Sequence, residues 1–189
     1  MATNALLELR QATREWHRSV DHHPVLHVLL SKELSVPAYS TALSALHGVQ
    51  AWYESAVLVS LPMFFGADRR CPKLTMDLQE VGWTLEERPF LGPDVESLEE
   101  VLGAAYVIEG SRLGARHLAA VLRKRVPDLP RRYFEEGFVA ERWARFTELV
   151  EQALDRPALR LSAAASARAT FELLVAHLDA VGSSESSVT

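Results

Sequence analysis

A histidine and an aspartate near the N-terminus have the spacing of a supported metal ligand. His17 follows Trp16, and Asp21 comes four residues later, one turn along the same helix face. A carboxylate at this offset can accept the second imidazole N–H and fix the tautomer that binds a metal ion. The spacing also fits a boundary histidine in a surface ion-pair network, and spacing alone favours that second interpretation.

The other histidines offer weaker candidates. Three of them follow closely along the chain: His22, His23 and His27. With Asp21 they could form a metal cluster, but adjacent histidines beside Pro24 at a helix end more often face solvent or cap backbone carbonyls. The remaining three are isolated, and we expect them to pack in the core or at its boundary: His47, His117 and His177.

Two glycines lie four residues apart inside a segment with helical periodicity. Gly110 and Gly114 each cost about 1 kcal/mol relative to alanine in a helix, so some other interaction must compensate. They allow close approach either of a second helix or of a flat ligand that a Cβ would exclude. Spacing leaves both explanations open. A histidine on one helix facing a glycine-softened helix could sandwich a heme.

No other catalytic pattern is present. The sequence contains no nucleophile elbow, Walker loop, dinucleotide fingerprint or HExxH motif. Several acidic residues are adjacent in sequence, but neighbours on a helix point about 100° apart. These pairs therefore favour solvated helix faces over catalytic dyads.

The elements that must position these residues are helices. Apolar residues recur at spacings of three and four along the chain, which predicts one all-α domain over residues 1–181 with about seven or eight helices and a flexible polar tail over 182–189. The expected elements are a helix from Thr3 or Asn4 to Pro24, a helical turn at Val25 to Leu30, a helix capped by Ser35, a helix from Lys73 to Gly82, a long segment from Asp94 to Pro127, a helix around Trp143 to Leu154, and a last helix from Pro157.

Composition limits the class of protein further. The 189 residues carry a net charge of -5 and one cysteine, Cys71, which excludes an internal disulfide framework and argues against nucleic acid as a partner. No apolar stretch approaches the roughly 18 residues of a membrane span. We therefore expect a cytoplasmic globular protein, with its basic clusters at solvated helix ends: Arg69-Arg70, Arg123-Lys124-Arg125 and Arg131-Arg132.

Two segments resemble the heme oxygenase family. Residues 9–17, LRQATREWH, look like its proximal L-[KR]-x-A-T-[KR]-x-x-H segment. Residues 102–114, LGAAYVIEGSRLG, are similar to the L-G-x-x-Y-V-x-E-G-S-x-L-G distal helix of the bacterial, bacteriophytochrome-associated type. Weaker matches, in family order over about residues 6 to 180, are Leu74-x-x-Asp77-Leu78, Trp143-x-x-Phe146 and Arg168-Ala169-Thr170-Phe171.

The resemblance implies a helical bundle with heme between a proximal and a distal helix. It makes His17 the proximal ligand of the heme iron, with Asp21 as its acidic partner and Arg10 at a propionate. It also implies two further sets, catalytic distal residues and cofactor-binding residues: Gly110, Ser111 and Gly114, then Tyr106 and Phe171. Many members carry aspartate where Ser111 stands, although serine is usual in the bacterial subgroup. The candidates for the C-terminal propionate contacts are Arg142, Arg145 and Arg168.

The function implied is cleavage of heme b, both substrate and cofactor, to biliverdin with release of iron and carbon monoxide. It needs O2 and electrons from an external ferredoxin or flavin reductase, because the sequence has no flavin or nicotinamide motif. A bacteriophytochrome could receive the biliverdin. The alternatives are a non-catalytic heme-binding or heme-trafficking protein of the same fold, and a protein of this fold that binds another small molecule without iron.

Overall fold

The computed structural model describes residues 4–61, 69–84, 89–135 and 140–185. Nine α-helices and no strands occur within these ranges, which confirms the all-α prediction. In chain order the helices are α1 (Ala5–Ala12), α2 (Arg14–Asp21), α3 (Pro24–His27), α4 (Val36–Trp52), α5 (Cys71–Glu80), α6 (Leu98–Arg125), α7 (Arg132–Glu135), α8 (Ala140–Ala153) and α9 (Pro157–Glu185).

Short helical turns of other types extend two of these helices. A 3-10 turn, Val28–Leu30, follows α3, so the helical turn expected at Val25 to Leu30 is confirmed. A π-helical turn, Tyr53–Val57, continues α4 and is followed by a 3-10 turn, Leu58–Ser60. Isolated π turns inside helices are uncommon and are often found at functional sites.

Helices α6 and α9 form the centre of the molecule. They pack against each other, and α9 also contacts α1, α2 and α3. The larger cluster of buried apolar side chains lies between these helices and α8, and a smaller cluster lies between α4, α5, α7 and the C-terminal half of α6. Because α6 contributes to both clusters, its two ends are fixed by burial of apolar surface.

The first predicted helix is broken into two. Thr13 separates α1 from α2 with φ -110° and ψ 3°, and its side-chain hydroxyl donates to the carbonyl of Leu9 at 2.8 Å. Threonine side chains that bond back to a carbonyl four residues earlier often bend helices. The continuous apolar stripe of the sequence did not reveal this break.

The long helix α6 begins at Leu98 and not at Asp94. Ser97 accepts a hydrogen bond from the backbone N–H of Glu100, and the Glu100 carboxylate accepts one from the N–H of Ser97. This capping box satisfies N–H groups that the helix cannot pair internally, so it fixes the start four residues later than expected.

Other expected helix ends are confirmed. The side chain of Ser35 accepts the N–H of Ala38 at the start of α4, and Gly82, after α5, adopts a left-handed φ of 72°.

Helix α9 continues to Glu185, four residues beyond the expected domain boundary at Val181, whereas residues 186–189 lie outside the described ranges. No helix within those ranges is long and apolar enough to cross a membrane.

Candidate functional site

His17 and Asp21 form the predicted pair on α2. Nδ1 of His17 lies 2.8 Å from Oδ2 of Asp21, and the two side chains are 57% and 56% exposed. A neutral imidazole that donates its Nδ1–H to this carboxylate keeps its lone pair on Nε2, which is the tautomer needed for a metal ligand. The ring of Phe171 on α9 meets His17 edge-on, with 6.0 Å between ring centroids.

Tyr106 on α6 lies beside Thr13 at the α1–α2 break and close to Arg10. Burial raises the pKa of Tyr106, while the neighbouring Thr13 hydroxyl and the positive charge of Arg10 oppose that rise. His17 lies one turn after Thr13, and Gly110 lies one turn after Tyr106, so the contact between Tyr106 and Thr13 places the two candidate regions on neighbouring parts of the molecule.

The space beside the glycines decides between their two explanations. A Cβ added at Gly110 or Gly114 would meet no atom within 4 Å among the described residues. A Cβ at Gly103, by contrast, would overlap the carbonyl oxygen of Ala163 and lie 2.9 Å from its carbonyl carbon. Gly103 therefore serves the close crossing of α6 and α9, whereas Gly110 and Gly114 border open space.

The open face of α6 is partly apolar. Leu113, between the two glycines, is 46% exposed, whereas Arg112 before it and Ala115 after it are buried. Ser111 is also exposed, and its hydroxyl donates to the carbonyl of Ile108 at 2.7 Å. This part of α6 therefore presents one apolar side chain and one hydroxyl group at the surface.

These groups fit a heme as ligand. An accessible Nε2 on α2 can bind the iron, and the open glycine face of α6 can lie against a flat macrocycle. Arg10 is exposed beside Tyr106, where a guanidinium could meet a propionate. The structure brings His17, Phe171 and Asp21 into one group, and Arg10, Thr13 and Tyr106 into a second group one helical turn away.

The three candidates for the other propionate contacts differ in their surroundings. Nε and Nη2 of Arg142 each donate to a carboxylate oxygen of the buried Glu109, and both distances are 2.7 Å. This contact corrects the expectation that Arg142 is a candidate for a propionate contact. Its guanidinium is matched by a buried carboxylate, so it is not available to a propionate. Arg145 and Arg168 are exposed and remain candidates.

The Glu109 cluster was missed by the sequence analysis. This buried carboxylate accepts hydrogen bonds from the Tyr53 hydroxyl at 2.7 Å and from Arg142, and Nε of Arg112 lies 3.3 Å away. Burial, followed by the charge and hydrogen bond of Glu109, raises the pKa of Tyr53 well above its ordinary value. A single glutamate directly after the small and apolar residues 101–108 of α6 was the signal available in the sequence.

His22 and His27 are exposed and lie near backbone carbonyls, as expected. Nδ1 of His22 lies 2.9 Å from the carbonyl of Arg18, and Nδ1 of His27 lies 3.4 Å from that of Asp21. Within the described part of the chain, no group of three or more histidine, cysteine or acidic side chains could hold a metal ion. Among the isolated histidines, His47 and His177 are partly buried, but His117 is exposed, contrary to expectation.

The basic clusters are not all solvated. Arg70, expected at a solvated helix end, is buried beneath Tyr133, with its guanidinium carbon 3.8 Å from the ring centroid and a hydrogen bond to the Tyr133 carbonyl. Arg132 is partly exposed and binds the buried carboxylate of Asp77 at 2.9 Å. These arginines hold α7 against α5, which supports a structural role for them.

The structure is an all-helical protein in which the candidate iron ligand, His17, lies on α2 and the candidate distal glycines, Gly110 and Gly114, lie on α6. The chain is 34% identical over 148 residues to a heme oxygenase of Xanthomonas campestris, covering 73% of this chain and 87% of that protein. No protein-family model matches the chain. The identity and coverage with this relative show that the chain belongs to the heme oxygenase family.

Two solved structures share the fold. The heme oxygenase of Neisseria meningitidis, solved with NO and CO bound, superposes with a TM-score of 0.71 at 21% identity, over 94% of this chain and 91% of that chain. The heme oxygenase of Leptospira interrogans gives a TM-score of 0.68 at 16% identity, over 93% and 98%. At these identities the likeness extends to the fold of the chain.

Proposed function

We propose that this heme oxygenase opens heme to biliverdin with release of iron and carbon monoxide, and that His17 is the proximal ligand of the iron. The observation that carries the proposal is the 2.8 Å bond between Nδ1 of His17 and Asp21, which leaves Nε2 for the metal. Family membership supplies the substrate class. Heme is both substrate and cofactor in this proposal.

On the proximal side, the chain orients the ligand imidazole. Asp21 accepts the Nδ1–H of His17, which fixes the tautomer and makes the ring a stronger donor to the metal. The edge of Phe171 limits rotation of the same ring. Arg10 supplies a positive charge for a propionate, and Tyr106 of the distal helix lies beside Thr13 and Arg10 on this side.

On the distal side, the chain presents backbone at Gly110 and Gly114. Because no Cβ extends from either position, the helix can lie close to the macrocycle and restrict the space above it. Ser111 already donates its proton to the Ile108 carbonyl, so in this proposal its oxygen is the acceptor that would hold a water. Bound heme supplies the iron at which O2 reacts.

Electrons must come from another protein in this proposal. The sequence has no flavin or nicotinamide fingerprint, so a ferredoxin or a flavin reductase is the expected donor. The Glu109-Gly110-Ser111 segment supports placing the chain among the bacterial, bacteriophytochrome-associated type, in which biliverdin would pass to the photoreceptor. The absence of a membrane-crossing helix in the described ranges is consistent with a cytoplasmic enzyme.

Titration with hemin tests the ligand assignment. We expect His17→Ala to lose the Soret band of a histidine-ligated complex and to recover it when imidazole is added, because free imidazole can occupy the vacated position. His22→Ala is the matched control, since His22 is an exposed histidine at the C-terminal end of the same helix and its Nδ1 lies 2.9 Å from a backbone carbonyl. An unchanged spectrum in His17→Ala would refute the assignment.

One observation favours the alternative of a heme-binding or heme-trafficking protein. The Ser111 proton is already used by the helix backbone, so this position offers a weaker hold on water than a carboxylate would. Incubation of the hemin complex with O2 and ascorbate or a reductase separates the two functions. A biliverdin absorption band supports the enzyme, and a reduced complex that forms no bile pigment supports the alternative.

A further inference from the structure

The glycine-bearing part of α6 rests on a buried ionic cluster. Glu109 immediately precedes Gly110, and its carboxylate is buried, whereas a Cβ at Gly110 or Gly114 would meet no described atom within 4 Å. Successive helix residues point about 100° apart, so the carboxylate fixes one flank of the helix and leaves the glycine flank free. Arg112 lies on the buried side as well, with Nε 3.3 Å from Glu109.

Two other helical segments are held by this single carboxylate. Arg142 on α8 reaches it with Nε and Nη2, both at 2.7 Å, which is the bidentate geometry that fixes orientation as well as distance. Tyr53 reaches it at 2.7 Å from the π turn that continues α4. Glu109 therefore joins α4, α6 and α8 at one point.

We propose that Glu109 is a positioning residue that holds the Gly110–Gly114 segment of α6 in the place from which it would face the heme. This inference rests on the proposed function, which makes that segment the distal side of the heme site. Two glycines weaken the helix locally, and the burial pattern offers apolar support only on one side of it. The charged hydrogen bonds of Glu109 supply the missing restraint immediately before the first glycine.

A merely structural role would predict something different. A buried ion pair that only stabilises the fold would, when broken, lower the free energy of global unfolding and loosen the molecule generally. A positioning role predicts that opening increases first in the segment after Glu109. The two roles are separated by where the backbone becomes dynamic.

Hydrogen exchange of the heme-free protein makes this distinction. In Glu109→Gln we expect the amides of residues 110–114 to exchange at least about tenfold faster than they do in the wild type. The amides of residues 98–105 of the same helix should change much less. Tyr53→Phe removes one donor and leaves the Arg142 pair, so it should give the same pattern with a smaller increase. Tyr53→Phe also keeps the test valid if Glu109→Gln does not fold.

Asp77→Asn is the matched control for loss of a buried, arginine-bonded carboxylate. Asp77 on α5 is completely buried, accepts from Arg132 at 2.9 Å, and accepts the backbone N–H of Tyr133 at 3.1 Å. Urea unfolding of each variant gives its global stability for comparison. If Glu109→Gln leaves the exchange of residues 110–114 unchanged, or raises it uniformly as Asp77→Asn does, the positioning role is refuted.

Hemin affinity connects the inference to the proposed heme site. We expect Glu109→Gln to bind hemin several-fold more weakly and Asp77→Asn to bind it as the wild type does, and equal affinities in both variants would contradict the role. A wild-type protein that fails to bind hemin would overturn the proposed function. It would leave the exchange experiment intact, because that experiment uses the heme-free protein.

Discussion

Gly103 and Gly110 lie two turns apart on α6, and they differ in the space beside them. Gly103 is crowded by a neighbouring helix, whereas Gly110 is not. At Gly103 the backbone of α9 is so close that a Cβ would overlap Ala163. At Gly110 and at Gly114, no described atom lies within 4 Å of the place a Cβ would occupy. The same residue type therefore allows tight packing in one region of the helix and an open face in the other.

The difference shows how one helix can be both rigid and open. In the first region the side chain of Ser166 donates to the carbonyl of Glu100 at 2.7 Å, so the crossing of α6 and α9 is fixed by a hydrogen bond as well as by contact. In the second region, α6 has a buried side and an exposed side. The close crossing thus anchors the helix on which the ligand face is built.

The largest effect on stability is expected from Gly103→Ala. The added methyl group would meet backbone atoms of Ala163, which cannot turn away as a side chain could. Overpacking of a tight core usually costs roughly 1–3 kcal/mol and sometimes more, so we expect a loss of about 3 kcal/mol in the free energy of unfolding. Thermal unfolding should then show a midpoint lower by roughly 10 °C.

Gly110→Ala is the natural control for this variant, because it makes the same chemical change on the same helix. Alanine is favoured over glycine inside a helix by about 1 kcal/mol, so Gly110→Ala should match or exceed the wild type in stability. If both variants lost equal stability, the structural distinction between the two glycines would be wrong.

Gly110→Ala and Gly114→Ala should instead weaken ligand binding. A methyl group on the open face would occupy space that the proposed heme cleft needs, and we expect hemin affinity to fall about tenfold, which corresponds to about 1.4 kcal/mol. Equilibrium titration of the apoprotein measures this directly. Unchanged affinity in both variants would place the ligand elsewhere.

The sequence predicts the helices and the chemical pair on α2 well. The spacing of His17 and Asp21 predicts a hydrogen bond that the structure contains, since residues four apart on a helix are neighbours whatever the rest of the fold does. Most helix ends follow from proline, serine caps and glycine for the same local reason. The break at Thr13 was missed because it depends on one side chain bonding to its own helix.

Contacts between distant segments could not be predicted in this way. Spacing gave Gly110 and Gly114 two equal explanations, and only the position of α9 shows that Gly103, three residues from Tyr106, is the packing glycine. Likewise, the bond from Arg142 to Glu109 joins residues 33 apart in sequence. Such pairs depend on how the helices are assembled, which local periodicity does not specify.

The smallest effect is expected from Glu100→Gln, at the start of α6. The Glu100 carboxylate accepts the backbone N–H groups of Glu96 and Ser97, and these bonds lower the pKa of its carboxyl. A lowered pKa in the folded state stabilises the protein above the ordinary carboxyl pKa of 4.5, and that contribution is lost as the pH falls through the folded value.

Glu100→Gln should therefore unfold at a slightly lower temperature than the wild type at pH 7, and the difference should close as the pH is lowered below 4.5. Thermal unfolding at several pH values measures both effects. Because Glu100 belongs to the packed region of α6 and not to its open face, hemin affinity at pH 7 should not change. A loss of affinity here would mean that the two regions of the helix are coupled, and that the crossing at Gly103 does not isolate the ligand face from the helix start.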